Sequence, residues 1–343
     1  MSKKAPTSID VAKQAGVSQP TVSRAFDPNT SVAPDTRERV LQAAKKLGYK
    51  PNVIARSLST RRTNIVGLVM ANIANSLFYP NVLEQITNRL QMKGKQVLLF
   101  SVPLDKPVDD FLPRVLGYQV DGLIITSTTP SNEIADECAR NGTPVILFNR
   151  FVEGSSANSV CCDNAKGGRL VADALLKAGH QRFGFIGGPP TTSTHMMREA
   201  GFLGRLKEHG FENVLCESGA FTYQSGQDAA RRLLAHDTPP DAIFCAADVM
   251  ALGAMDVARY EFGLKIPEQL SVIGFDDVPI ASWPVYNLTT IRQPINRMMD
   301  AIIDLIDNQE DGTATSQYKL HPGELINRGS ARLTHAESSV GIV

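Results

Sequence analysis

Long apolar runs are missing from this 343-residue sequence. Without a stretch of about 18 apolar residues there is no candidate membrane span. The start offers no secretory signal either, since Met1 to Lys4 leads into Ala-Pro-Thr-Ser-Ile-Asp and not into an apolar segment. Cysteine is scarce. Cys138, Cys161, Cys162, Cys216 and Cys245 make an odd count of five with no CxxC spacing, which fits buried thiols in a reducing compartment better than disulfides or zinc. These absences together predict a cytoplasmic protein. Catalytic signatures are missing as well: GxSxG, HExxH, Walker A and GxGxxG do not occur. The histidines (His180, His195, His209, His236, His321 and His335) show no metal-ligand spacing. Neither an enzyme nor a metal or cofactor site is expected, and Gly187-Gly188 alone is weak as a phosphate cradle.

Net charge is the last absence, with 35 Lys+Arg against 35 Asp+Glu, and taken alone it argues against a nucleic-acid partner. The balance is a sum of two unlike regions. Residues 1–62 carry 12 basic and four acidic side chains, a net of +8, and the remaining 281 residues carry 23 basic and 31 acidic ones, a net of −8. A small basic module is joined to a larger acidic one. Hydrophobic residues at 43% and charged ones at 20% describe an ordinary globular protein, long enough at about 150 residues per domain for two or three domains.

The basic module reads as short helices. Thr7 and Asp10 are spaced as a capping box before Ile9, Ala12 and Ala15, and Gly16 breaks the helix. Ser18 is placed to cap a second helix with Val22 and Phe26 on one face, and a third runs from Pro34 to Leu47, ended by Gly48. A helix, a tight Gly turn and a second short helix form a helix-turn-helix, whose second helix enters the major groove. That helix presents Gln19, Pro20, Thr21 and Arg24. Arg suits bidentate contact with guanine and Gln with adenine, whereas Pro20 offers only shape and apolar contact. The alternative is a surface helix with solvated charge. Residues 52–60 follow, a stretch able to form a helix but too short and too poor in apolar surface to be stable alone.

From Asn64 onward, strand-length apolar runs alternate with amphipathic helix-length segments. The strands include Ile65–Met70, Val97–Ser101, Gly122–Thr126, Val145–Asn149, Phe183–Ile186, Ala242–Ala246 and Val272–Phe275. The helices include Val82–Met92, Gly167–Ala178, Arg198–Glu208, Ser225–Leu234, Met250–Phe262 and Ile295–Asp307. This alternation specifies parallel sheets covered by helices, and the change of pattern near Asn158 to Asn164 points to two α/β subdomains joined there. Ligands of such sheets sit beyond the carboxyl ends of strands, which singles out Asn149, Gly187-Gly188, Ala247-Asp248 and Asp276-Asp277. Asp248 is expected to cap the helix beside Met250. Cys161 and Cys162 are read as an apolar crossover in core or cleft wall. Trp283 is expected to pack its loop, with the cleft as the alternative, and Met298 and Met299 to sit in core or subunit interface.

These residues also carry a resemblance. Asp10-Val11-Ala12, Ala15-Gly16-Val17-Ser18, Thr21-Val22-Ser23-Arg24, Thr36-Arg37, Pro51-Asn52 and Ala55-Arg56-Ser57-Leu58 resemble the LacI/GalR family of bacterial transcription repressors. The similarity continues through Asp121-Gly122-Leu123-Ile124, Gly179-His180, Asp241-Ala242-Ile243-Phe244, Met250-Ala251-Leu252-Gly253-Ala254, Ser271 to Asp277 and Leu288-Thr289-Thr290-Ile291. It implies an all-α helix-turn-helix headpiece at 1–50, a hinge helix and linker at 51–63, and a two-lobed α/β core resembling periplasmic binding proteins at 64–343. The lobes are expected at about 64–163 with 293–322, and about 164–292 with 323–343. DNA contacts are expected from Thr7, Ser18, Gln19, Pro20, Thr21, Ser23, Arg24, Asn52, Ala55, Arg56 and Leu58. Leu58 matches the family's wedge that opens a base step in the minor groove, with an ordinary core position as the alternative.

In the core, the resemblance assigns a small-molecule effector to Phe78, Arg198, Phe221 and Asp276, to which Asn149 and Arg150 are added. Two departures from the family pattern matter. Asn149-Arg150 stands where the family places an acid, and Ala247-Asp248 where it has an Asn-Asp pair. Both remove polar groups suited to neutral sugars, and Arg150 adds a positive charge near the mouth, so an anionic metabolite such as a sugar acid or sugar phosphate is expected. A solvated or ion-paired surface Arg150 is the alternative. The partners implied are a palindromic operator, the effector and a second copy of the chain, with no membrane. Residues 334–343 have no leucine heptads, so assembly is expected to stop at a homodimer. The competing classes are an enzyme, opposed by the missing motifs, and a transport-associated binding protein, opposed by the basic helical module.

Overall fold

The computed structural model describes residues 6–27, 30–50, 63–71, 73, 76–103, 106–307 and 316–333. Two compact units separate, residues 1–64 and 65–343. Among the described residues no helix is long and apolar enough to cross a membrane.

Among the described residues the first unit holds three helices, α1 (Ser8–Ala15), α2 (Gln19–Ala25) and α3 (Pro34–Leu47). The capping box forms: the Thr7 hydroxyl accepts from the Asp10 N–H and the Asp10 carboxylate accepts from the Thr7 N–H. Gly16 takes φ +66°, a left-handed conformation that costs glycine little and closes α1. Ser18 stands at the N-cap of α2 without capping it through its side chain; its hydroxyl meets that of Thr21 at 2.8 Å. Val11, Ala12, Ala15, Val22, Ala25, Val40, Ala43 and Ala44 make the core, with Phe26 and Tyr49 packed on it. Arg37 locks the α2–α3 turn by donating to the carbonyls of Asp27 and Thr30.

Among the described residues the second unit contains two six-stranded sheets. In chain order it runs β1 (Ile65–Ala71), α4 (Tyr79–Met92), β2 (Gln96–Val102), α5 (Leu112–Leu116), β3 (Gly122–Thr126), α6 (Asn132–Arg140), β4 (Val145–Phe148) and β5 (Asn158–Cys162). It continues with α7 (Asn164–Lys177), β6 (Phe183–Gly187), α8 (Ser193–Glu208), β7 (Leu215–Ser218), α9 (Tyr223–Leu234), β8 (Ala242–Cys245), α10 (Asp248–Tyr260) and β9 (Ser271–Asp276). The last elements are β10 (Thr289–Arg292), α11 (Ile295–Asp307), β11 (Tyr318–His321) and β12 (Glu324–Ile326). The first sheet has the order β11-β5-β4-β3-β1-β2 and the second β12-β10-β9-β8-β6-β7. Every pairing is parallel except β10 with β12. The chain therefore passes between the lobes three times: after β5, after β10 and after β11.

The central strands β1, β3, β4, β6, β8 and β9 are apolar along nearly their whole length because helices cover both faces of a parallel sheet. Two readings of the sequence need correction. Cys161 and Cys162 belong to a strand, β5, and not to a crossover; both are buried. Asp248 does not cap α10. It is the first helical residue, Ala247 holds the N-cap position, and the Asp248 carboxylate turns inward to accept from the Val278 N–H at 2.9 Å and the Thr290 hydroxyl at 2.5 Å. Burial and the neighbouring Asp276 charge hold that carboxyl above the usual carboxylate range. Met298 and Met299 are fully buried, and Trp283 is 54% exposed.

Candidate functional site

In the helical unit, Ser18, Gln19, Pro20, Ser23 and Arg24 are exposed and Thr21 is half-buried. They share the start and outward face of α2 because Val22 and Ala25 occupy its inward face. The Gln19 amide reaches the Ser8 hydroxyl at 3.4 Å, a long contact that ties it to the start of α1. Among the described residues nothing lies within hydrogen-bond range of the Arg24 guanidinium, leaving its fork of donors open. Thr7 is exposed at the start of α1, with its hydroxyl in the capping box. Asn52, Ala55, Arg56 and Leu58 lie outside the described residues.

The second unit contains a cleft of about 300 Å³ between its lobes, lined by all six effector candidates. The first lobe supplies Phe78 at the start of α4, Ser127 after β3, and Asn149-Arg150 after β4; the second supplies Arg198 from α8, Phe221 after β7, Ala247 after β8 and Asp276 from β9. This is the carboxyl-end placement that parallel sheets favour. Backbone strain gathers here: Asn149 (φ 56°), Phe221 (φ 55°) and Asp276 (φ 127°) all have positive φ, unusual for residues with a Cβ and concentrated at binding sites.

Arg198 is the anchor. Its side chain is buried, donates to Asn164 Oδ1 at 2.8 Å and to the Ala246 carbonyl, and approaches Asp276 Oδ1 at 3.5 Å. Its guanidinium lies 3.6 Å from the centroid of the Phe275 ring, a cation–π contact. Asp276 also accepts from the Gln293 amide at 2.7 Å. Burial nevertheless pushes the Asp276 carboxyl up, with Arg198 opposing the shift. Arg150 is buried rather than placed at the mouth, and its Nη1 donates to the Asn149 carbonyl at 3.0 Å and to the Thr194 hydroxyl at 3.1 Å. Among the described residues no carboxylate lies within 4.0 Å of it, in contrast to Arg198. Asn149 Oδ1 is buried with no partner. A buried orphan acceptor and a buried cation with no carboxylate in ion-pair contact are both costly unless a ligand satisfies them.

Two aromatic rings bound the cleft. Phe78 stacks on Phe148 with centroids 6.3 Å apart. Phe221 lies over Gly188, where any Cβ would sit 2.1 Å from its ring, and the His195 ring occupies the space beside Gly187. The two glycines thus admit rings and do not form a phosphate cradle. Thr194, Asn164 and Gln293 escaped the sequence reading. Gln293 is 3% exposed with Oε1 unpartnered, and directly after the mixed strand Thr-Thr-Ile-Arg its side chain carries no signal that sequence alone could pick out. Asn164 and Thr194 are recognised only through the arginines they hold.

Comparison with known proteins follows the same division. The model of the bacterial regulatory proteins, lacI family, matches residues 9–52, and that of the periplasmic binding protein-like domain matches residues 172–331. The HTH-type transcriptional regulator AscG of Escherichia coli (strain K12) is 34% identical over 332 residues, covering 94% of this chain and 98% of AscG. The chain belongs to the LacI family. As a LacI-family protein it is a DNA-binding transcriptional regulator and not an enzyme. Its fold matches the lac repressor dimer bound to operator and the anti-inducer ONPF, with TM-score 0.85 and 28% identity over 96% of this chain and all of that one. The CelR–cellobiose complex matches with TM-score 0.70 and 30% identity, covering 95% of this chain and 100% of CelR. The helical headpiece and two-lobed parallel α/β core are therefore LacI-family architecture.

Proposed function

We propose that this LacI-family regulator represses transcription as a homodimer on a near-palindromic operator and is controlled by an anionic metabolite, of the sugar-acid or sugar-phosphate kind, held in the cleft. The observation that carries the effector reading is Arg150, a buried cation in the cleft with no carboxylate within ion-pair distance among the described residues. With Arg198 it gives the cleft two guanidiniums against, among the described residues, one carboxylate, that of Asp276. An effector carboxylate or phosphate restores the balance through charge-assisted bonds. The CelR complex with cellobiose supports a carbohydrate body for the ligand, while Asn149, Arg150 and Ala247 favour an acid over a neutral sugar.

Labour divides at residues 1–50 for DNA, 51–63 for the hinge and linker, and 64–343 for the regulatory core, with lobes at about 64–163 with 293–322 and 164–292 with 323–343. Dimerisation is supported by apolar groups left on the core surface, including Leu99 on the edge strand β2 and Tyr260, Trp283 and Val285 on the second lobe. Two recognition helices related by a two-fold axis require two half-sites, hence the palindrome. The contacts given to Asn52, Ala55, Arg56 and Leu58 rest on the family resemblance. Cytoplasmic location follows from this work on DNA. Operator and effector affinities are linked, so each changes the other by the same factor. Calorimetry with a panel of neutral and anionic metabolites tests the reading: tight binding of an acid is expected, and tight binding of neutral sugars alone contradicts it.

A further inference from the structure

The cleft has two chemically different sides. Asn149 Oδ1 and the part of the Arg150 guanidinium beyond its Nη1 present open polar groups, with Arg198 and Asp276 beside them already bonded to the scaffold, whereas Ala247, Val249 and Val278 present only methyl groups. The polar residue between Ala247 and Val249 is turned away: Asp248 is fully buried and its two oxygens are held by Thr290 and the Val278 N–H. The neighbouring Ala246 carbonyl is taken by Arg198. Among the described residues, four of the five hydroxyls lining the cleft are also engaged, and the fifth, on Tyr79, stands beside Phe78. Ser76 Oγ accepts from the N–H groups of Phe78 and Tyr79, Ser127 bonds the Ala71 backbone, Thr192 caps α8, and Thr194 accepts from Arg150. A sugar hydroxyl pressed against the methyl wall would be desolvated with no partner, which disfavours it, while an apolar group there gains from leaving water.

On the basis of the anionic reading above, we infer that the effector is an acidic sugar derivative bearing an apolar substituent of about aromatic-ring size, seated on Ala247, Val249 and Val278. The acid faces Arg150 and the substituent lies toward Phe221, whose ring is fixed over Gly188. A plain sugar acid fills only the polar side.

Calorimetry on the full chain with D-glucuronate, phenyl β-D-glucuronide, phenyl β-D-glucoside and methyl β-D-glucoside tests this, and the ligand comparison needs no variant. Phenyl glucuronide is expected to bind at least about tenfold more tightly than glucuronate. Val249→Thr and Val278→Thr, which keep the side-chain shape and add a hydroxyl, are expected to bring the ratio of the phenyl glucuronide and glucuronate affinities down toward one. Equal or weaker binding of phenyl glucuronide, or none at about millimolar concentration, overturns the apolar seat. Failure of the anionic reading looks different: phenyl glucoside then binds as tightly as phenyl glucuronide, with the phenyl group still adding affinity over methyl glucoside.

Discussion

In the helical unit the residues proposed for DNA contact stand on the surface of a core made of eight small side chains, Val11 to Ala44, and take almost no part in holding that core. In the cleft of the second unit the residues proposed for effector contact include arginines that are themselves buried and bonded to the scaffold: Arg198 to Asn164, Ala246 and Asp276, Arg150 to Asn149 and Thr194. Specificity on α2 can therefore change with little effect on folding. In the cleft, a substitution that alters ligand choice also disturbs the structure.

The sharpest way to break this contrast is Arg198→Ala. It leaves Asp276 buried without its cation, an effect of about 3–5 kcal/mol, and is expected to destabilise the core by that order in urea unfolding. A loss confined to effector binding would show that cleft residues are as separable from the fold as those of α2. Arg150→Gln keeps hydrogen-bonding capacity while removing the charge. It is expected to weaken an anionic effector by about 2 kcal/mol, near thirtyfold, with a smaller change in stability, measured by calorimetry and unfolding side by side. On the other side of the contrast, Arg24→Ala is expected to lose roughly 1–3 kcal/mol of discrimination at one base pair per half-site with the headpiece still folded. An unchanged base preference in a binding-site selection would sink that assignment. Thr7→Ala removes the α1 cap and should lower headpiece stability by about 1 kcal/mol, read from its thermal midpoint.

Acidity offers a further test within the core. Asp248 is held above the ordinary carboxylate range by burial and by Asp276, and Asp276 by burial against the opposing pull of Arg198. Folding thus favours their protonated forms. The stability they contribute is fully present below the unfolded value of about 4 and is lost as pH rises toward neutrality. Asp248→Asn, which cannot ionise, should gain on the parent protein as pH climbs through that range; a stability difference that does not move with pH contradicts the assignment.

Legibility from sequence differed between the units for the same physical reason. On α2 the spacing of Val22 and Phe26 marks the inward face, where the structure buries Val22 and Ala25 and packs Phe26 on the core, so the outward set follows from spacing. In the core the helix Ile295–Asp307 was readable to the residue, and the long central strands to within a residue or two, because burial on both faces writes them as apolar runs. Strand β5, Asn-Ser-Val-Cys-Cys, has neither alternation nor a run, and β7, β10, β11 and β12 are three or four residues long. The cleft was visible through family motifs, but the depth of Arg150 and the inward turn of Asp248 were not. Both are set by partners far along the chain: Thr194 is 44 residues from Arg150 and Thr290 is 42 from Asp248. The zero net charge also hid the partner, since +8 and −8 cancel across the two regions.

In the function proposed above, the basic headpiece reads a two-fold-symmetric operator under control of the core. Selection of binding sites from a random duplex pool with the full chain is the test, and enrichment of a near-palindrome whose binding weakens steeply with salt is expected. Recovery of no preferred sequence, or of a single unpaired half-site, would contradict it.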